Sequence, residues 1–208
     1  MKYIIMCGGQ YDKFTMPKQF IRVKGEALIF RTIRLLKENG IKDINISSTD
    51  QRFKLCGVPV LVHENNFRSK VDGTCEGYWL DAFYPTDEPV TYIFGDVYFS
   101  DYAIKQIIQK VDGNVLCGNG YAKNEYHLNW GEPFAYIVND QKTFREGIDA
   151  VKKMFDEGKV KRHPIVWELY RYLNGFDINT QWINDDTYIC IDDGTNDIDA
   201  PWEVSLFG

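Results

Sequence analysis

The loop that follows the first apolar run carries residues suited to binding phosphate. It begins Cys7-Gly8-Gly9-Gln10, and Lys13 and Lys18 lie further along. Two adjacent glycines let backbone N–H groups approach a phosphate closely, and lysines in the same loop add positive charge. The loop matches neither the P-loop pattern nor the dinucleotide-binding glycine pattern. An ordinary turn with solvated lysines therefore stays open as an alternative.

Aspartates in two other places are suited to binding a divalent cation. Asp96 follows the apolar run Val90 to Phe94, and an acidic side chain at a strand tip can hold a cation that bridges phosphates. The acidic tail contains Asp197 and Asp199, whose spacing does not fit a calcium-binding loop. A strand-end aspartate also caps helices in many proteins, and an acidic run is often only a solvated segment.

Strand and helix patterns alternate along the chain and predict where these loops lie. Apolar runs predict strands at Lys2 to Cys7, Ile44 to Ser48, Val58 to Val62, Val90 to Phe94, Asn114 to Cys117, Phe134 to Val138 and Thr187 to Ile191. Helical spacing predicts helices from Leu28 to Leu36, Asp72 to Phe83, Asp101 to Val111, Thr143 to Phe155 and Pro164 to Leu173. This alternation predicts an α/β fold with a mostly parallel sheet covered by helices on both faces. Ligands of such sheets bind outside the carboxyl ends of the strands, where the glycine loop and Asp96 fall.

Length, charge and residue usage exclude several classes of protein. The 208 residues predict a single domain, and the net charge of -6 disfavours general binding to nucleic acid or to an anionic membrane. No apolar stretch is long enough for a signal peptide or a membrane span, so we expect a cytoplasmic protein. Five scattered cysteines predict neither a disulfide framework nor a zinc ribbon, and three separated histidines do not form the His-Glu-x-x-His type of metal helix. A hydrolase with a Gly-x-Ser-x-Gly nucleophile is also not indicated.

Four segments together resemble nucleotidyltransferases of the sugar-nucleotide pyrophosphorylase and cytidylyltransferase type. The first segment runs from Cys7-Gly8-Gly9 through Pro17-Lys18 and on through Phe20-Ile21-x-x-x-Gly25-x-Ala27-Leu28-Ile29. The others are Gly73-Thr74, Gly95-Asp96, and the tail Asp197-Ile198-Asp199-Ala200-Pro201-Trp202-Glu203-Val204. They occur in family order and spread over nearly the whole chain. The resemblance implies a single Rossmann-like domain over residues 1–208, of the type found in nucleotide-diphospho-sugar transferases. The chain departs from the family pattern at Cys7, at Lys13, where the family has arginine, and at Trp202.

The resemblance also implies a reaction and a role for each candidate residue. An acceptor phosphate attacks the α-phosphorus of a nucleoside triphosphate, and pyrophosphate leaves. Cys7, Gly8, Gly9, Gln10, Gly73 and Thr74 would bind the nucleotide. Lys18, Lys13 and Asp96 would act in catalysis, while Asp96 and Asp199, with Asp197, would bind Mg²⁺. Because a phosphate monoester is already ionised near pH 7, this reaction needs no protein base.

The acceptor is predicted less directly. Trp130, Glu132 and Tyr136 lie where this family often builds its acceptor pocket, and aromatic faces beside a carboxylate suit an amine. The small size and the tail resemble the short cytidylyltransferases, which favours CTP and a phosphocholine-like acceptor. The same three side chains could instead belong to the core. A sugar 1-phosphate acceptor with another nucleotide, and a homodimer, also stay open.

Two other functions remain as alternatives. A glycosyltransferase of the related fold normally has Asp-x-Asp after the central strand, where this chain has Asp96-Val97-Tyr98. A catalytically silent nucleotide-binding domain is the second alternative, and the departures at Cys7 and Lys13 encourage it. Nucleotide binding without pyrophosphate release would identify the silent domain.

Overall fold

The computed structural model describes residues 1–9, 14–70, 73–120, 131–180 and 182–207. The strands are β1 (Lys2–Met6), β2 (Arg22–Val23), β3 (Glu26–Ala27), β4 (Ile44–Ser47), β5 (Val60–Leu61), β6 (Arg68–Ser69), β7 (Cys75–Glu76), β8 (Val90–Phe94), β9 (Val97–Tyr98), β10 (Asn114–Gly118), β11 (Pro133–Val138), β12 (Tyr188–Cys190) and β13 (Asn196–Asp197). The α-helices are α1 (Leu28–Glu38), α2 (Asp101–Ile107), α3 (Gln141–Asp156) and α4 (Val166–Leu173).

Seven strands form one central sheet in the order β12-β10-β11-β8-β1-β4-β5. The pairs β8–β1, β1–β4, β4–β5 and β10–β12 are parallel, whereas β11 runs antiparallel to β8 and to β10. The predicted mostly parallel sheet flanked by helices is therefore confirmed. The parallel part brings the ends of β1 and β8 to the same edge, directly beside each other.

Buried apolar side chains hold this sheet between its helices. All five residues of β8 are buried, as are four of the five in β1. The ring of Phe144 in α3 packs on Tyr92 and Tyr136 of the sheet, with ring centroids 5.9 Å and 5.1 Å away. Aromatic packing of this kind adds to the stabilisation from burial. The strands that carry the site loops thus lie in the buried core of the sheet.

The helix predicted from Asp72 to Phe83 is wrong. Antiparallel strands β6 and β7 form a hairpin there, followed by a 3₁₀ helix at Trp79–Ala82. Two glycines explain the difference, because Gly73 and Gly77 have φ of 82° and 69°, which a right-handed helix does not use. A Cβ on Gly77 would also lie 2.7 Å from the carbonyl oxygen of Asn66. The other predicted helices and strands are confirmed, with ends that differ by a few residues.

A second, smaller apolar cluster lies apart from the main core. Val23, Leu28 and Ile198 are its buried members. Phe14, Ile21, Tyr98, Val204 and Phe207 pack around them. This tail cluster joins the C-terminal tail to the segment that follows the first loop. None of the described helices is both long and apolar enough to span a membrane.

Candidate active site

Asp96 is positioned by the buried end of β8. The N–H of Gly95 donates a hydrogen bond to the carbonyl oxygen of Met6 in β1, at 3.1 Å. A Cβ on Gly95 would lie 2.5 Å from that oxygen and 2.8 Å from Cys7 Sγ. Only glycine fits such a close approach of two strands. The main core therefore fixes the backbone that carries Asp96.

Asp199 is brought to Asp96 by the C-terminal tail. Strand β13 pairs antiparallel with β9, with Asp197 opposite Val97. The N–H of Ile198 donates to the carbonyl oxygen of Asp96 at 3.0 Å, and the Ile198 side chain is fully buried in the tail cluster. These contacts place the two predicted metal-binding aspartates side by side, although residues 97 to 198 lie between them in the sequence.

Lys18 completes this group. Its Nζ lies 2.7 Å from Asp96 Oδ2 and 2.9 Å from Asp199 Oδ1. The lysine begins a short 3₁₀ helix, Lys18–Phe20, whose Gln19 is buried and whose Phe20 ring stacks on Phe53 at 5.0 Å. The backbone of Lys18 is thus anchored on its C-terminal side. We refer to Lys18, Asp96 and Asp199 as the site triad.

Further carboxyl groups surround the site triad, and burial and their mutual repulsion disfavour their charged forms. Burial, together with Asp197, Asp199 and Asp96, raises the pKa of Glu132 to about 8. Burial, together with Asp199 and Asp96, raises the pKa of Asp197 to about 7. Burial opposes the charged form of Lys18, but Asp96 and Asp199 outweigh it and raise the pKa of its ammonium. One lysine therefore faces several acidic groups, and the site favours additional positive charge.

The donor set of this site fits a divalent cation of the Mg²⁺ type. One oxygen of Asp96 and one oxygen of Asp199 both contact Lys18 Nζ, so the two carboxylates point toward the same place. Among the residues that the structure describes, no group of three or more His, Cys, Asp or Glu side chains could hold a metal ion. Mg²⁺ is commonly held by only one or two carboxylates and completed by phosphate oxygens and water. The site thus fits a cation shared with a phosphate-bearing ligand.

The predicted nucleotide-binding residues fall into two neighbouring loops. Cys7 is fully buried, and burial raises the pKa of its thiol, so only its backbone can serve a ligand. Gly8 and Gly9 follow directly, and a Cβ on Gly8 would lie 3.5 Å from the Asn65 Cβ. Asn65 begins the segment that leads into the β6–β7 hairpin.

Gly73 and Thr74 lie in the exposed turn of that hairpin, rather than ahead of a helix as the sequence suggested. The turn is closed by two backbone hydrogen bonds between Lys70 and the 73–74 pair. Their assignment to the nucleotide stays a prediction. Gln10, Lys13 and Trp130 lie outside the described residues.

The two described residues of the predicted acceptor pocket separate in the structure. Glu132 lies close enough to Asp96, Asp197 and Asp199 for their charges to raise its pKa. Tyr136 is instead fully buried, with its ring against Phe144 of α3. Strand β11 places Tyr136 in the main core, so we correct its assignment to the acceptor pocket and treat it as a core residue.

The tail motif in the sequence includes Glu203, but no role was predicted for this residue, which fixes the end of the tail in the structure. Its Oε2 accepts hydrogen bonds from the N–H of Asp199 at 2.6 Å and of Ala200 at 3.0 Å. The short helix Pro201–Phe207 begins just after Ala200. Proline at the first position of a helix and glutamate at the third are a recognised start signal, and it is present in the sequence.

Comparisons with known proteins show the fold. No family model matches the chain, and no curated protein matches it. The chain is similar to the structure of CTP:phosphocholine cytidylyltransferase from Streptococcus pneumoniae, with 15% identity, a TM-score of 0.57, and coverage of 99% of this chain and 96% of that one. It is also similar to a Bacillus anthracis protein assigned as a glucose-1-phosphate thymidylyltransferase, at 14% identity, TM-score 0.57 and coverage of 99% and 93%.

A third similar structure is the inositol-1-phosphate CTP transferase of T. maritima, at 14% identity and TM-score 0.57, with 99% of this chain and 94% of that one covered. The three proteins share one fold with this chain over almost their whole lengths. The chain therefore has the fold of the nucleotidyltransferases that its motifs resemble.

Proposed function

We propose that this protein is a divalent-metal-dependent nucleotidyltransferase that couples a phosphorylated small molecule to a nucleoside triphosphate. The observation that carries the proposal is the site triad, in which Lys18, Asp96 and Asp199 meet at the carboxyl edge of the sheet. Ligands of open α/β sheets bind at this edge. The fold shared with three such transferases agrees with the proposal.

In the proposed reaction, an acceptor phosphate oxygen forms a bond to the α-phosphorus while the bond to the bridging oxygen breaks and pyrophosphate leaves. Asp96 and Asp199 would hold the metal, with Asp197 beside them. The bound cation would neutralise charge on the reacting phosphates. The backbone of Gly8 and Gly9 would approach the triphosphate, and Lys18 would stabilise the charge that develops in the transition state.

CTP is the proposed nucleotide. Two of the three similar structures carry CTP in their names, as a phosphocholine cytidylyltransferase and an inositol-1-phosphate CTP transferase. The short chain and its tail pattern agree with that choice. A thymidylyltransferase shares the fold as well, so the nucleotide must be decided by measurement.

The proposed acceptor is a phosphorylated amine. Glu132 is a half-buried carboxyl group, and burial together with the nearby aspartates raises its pKa to about 8. A cationic headgroup next to Glu132 would favour its ionised form and be attracted by the acidic residues nearby. Sugar 1-phosphates offer no such charge.

Pyrophosphate release tests the proposal. The protein is incubated with Mg²⁺, with each of CTP, UTP, dTTP, GTP and ATP, and with phosphocholine, phosphoethanolamine or a sugar 1-phosphate. We expect release with CTP and a phosphorylated amine, and loss of release in Asp96→Asn. Nucleotide binding without release from any pair would favour the silent binding domain instead.

A further inference from the structure

The site triad combines two features that a purely structural ion pair does not need. Lys18 Nζ contacts the same two carboxylates that would hold the metal, and its side chain is only 13% exposed. Several other acidic groups lie around it. A cation that binds both Asp96 and Asp199 must therefore take the place of the ammonium group or pull the carboxylates away from it.

We propose that Lys18 is an exchangeable internal cation, which occupies the metal-binding carboxylates of the free protein and leaves them when the metal binds. The inference rests on the proposed function, because it concerns the metal that this reaction would use. The released ammonium group then carries its charge to the phosphates of the bound nucleotide. Metal binding and the positioning of Lys18 thereby become a single event.

The surroundings of Lys18 allow this exchange without a change of backbone. Pro17 and Gln19 on either side are buried, and Phe20 stacks on Phe53. Only the flexible four-carbon stem of Lys18 has to change its rotamer. Asp199, by contrast, has a side chain that is 66% exposed, so a cation can reach it from solvent.

The exchange has a measurable cost for metal binding. When a metal ion can bind only the protein molecules whose site is free, its apparent Kd equals the intrinsic Kd divided by the fraction of free sites. If Lys18 occupies the carboxylates in nine of every ten free molecules, the apparent Kd of the metal rises about tenfold. Removing the ammonium group should remove this cost.

The test measures binding of Mn²⁺ alone, by the electron paramagnetic resonance signal of the free ion, so it needs no turnover. The variant Lys18→Met keeps the length of the stem and removes its charge, and Lys18→Gln serves as a second variant if Lys18→Met does not fold. The control Lys37→Met makes the same change of net charge at an exposed position in α1.

We expect Lys18→Met or Lys18→Gln to bind Mn²⁺ about tenfold more tightly than the wild type, and Lys37→Met to bind like the wild type. The gain should disappear when Asp199→Asn is combined with Lys18→Met. Equal, weaker or undetectable Mn²⁺ binding in folded Lys18 variants would overturn the inference. Tighter binding in a protein that transfers no nucleotide would overturn only the proposed reaction.

Discussion

The two aspartates of the site triad are delivered by regions of very different size. Asp96 stands at the end of a strand whose five residues are all buried in the main core. Asp199 is held by the tail cluster, which has three buried members. A position supported by many contacts stays fixed when one is lost, whereas a position supported by few can be released locally. The sheet therefore supplies a rigid half of the site and the tail an adjustable half.

The largest loss of turnover is expected when a residue of the rigid half is changed. In Asp96→Asn we expect pyrophosphate release to fall by about 100-fold or more, because one of the two predicted metal-binding carboxylates is lost while the strand that carries it is unchanged. Turnover and the circular dichroism spectrum are measured together. Asp112→Asn, at an exposed position, is the matched control. Near-normal turnover in Asp96→Asn would remove Asp96 from the site.

The next largest loss of turnover is expected when a residue of the tail cluster is changed. Ile198→Ala removes its fully buried isoleucine, and we expect turnover to fall about tenfold through misplacement of Asp199. Ile93→Ala in the main core should instead cost about 2–5 kcal/mol of unfolding free energy. Hydrogen exchange at the Ile198 N–H should quicken only in Ile198→Ala.

Restoration by Ile198→Val would support the positioning role, since valine refills most of the space. The comparison of the two regions would be wrong if Ile198→Ala lowered the unfolding free energy as much as Ile93→Ala without changing turnover.

A smaller loss is expected when the end of the tail is loosened. Glu203→Ala removes the acceptor of the Asp199 and Ala200 N–H groups. Loss of such a cap costs about 1 kcal/mol, so we expect turnover to fall by only a few-fold. Ser205→Ala, which removes a local hydrogen bond in the same short helix, is the control. A loss equal to that of Asp96→Asn would give Glu203 a direct role.

The smallest effect concerns stability and pH. The folded protein raises the pKa of Glu132 to about 8. The stability that the protonated Glu132 side chain provides is therefore fully present at pH values below the ordinary glutamate pKa, and it is lost as the pH rises toward 8. Glu132→Gln should therefore raise the melting temperature at pH 8.5 by about 2 °C or more, and much less at pH 5. The exposed Glu64→Gln is the control. A gain that is equal at both pH values would contradict this cause.

The sequence predicted the rigid half of the site better than the adjustable half. Apolar runs identify β1 and β8, and the rule for the carboxyl ends of parallel strands places Asp96 beside the Gly8-Gly9 loop. The role of Asp199 came only from a resemblance, because its position depends on the pairing of β13 with β9. Long-range pairing of two-residue strands leaves no periodic signal in a sequence.

Two wrong predictions, the helix from Asp72 to Phe83 and the acceptor role of Tyr136, have identifiable structural causes. Apolar residues from Asp72 to Phe83 fit a helix, yet Gly73 and Gly77 need positive φ and form a hairpin region instead. Tyr136 has the right chemistry for an acceptor pocket, but the direction of its side chain follows from the packing of β11 on α3. The contact of Lys18 with both aspartates was likewise beyond the sequence, because it joins three distant segments.

A double-variant experiment measures whether Asp96 in the rigid half and Asp199 in the adjustable half act on one metal. Pyrophosphate release is compared in wild type, Asp96→Asn, Asp199→Asn and the double variant, at saturating Mg²⁺. If both carboxylates serve one metal, the double variant should be slower than the slower single variant by no more than about threefold, because groups that act as a unit are not additive. Losses that multiply in the double variant would show that the two aspartates act independently and do not share one metal.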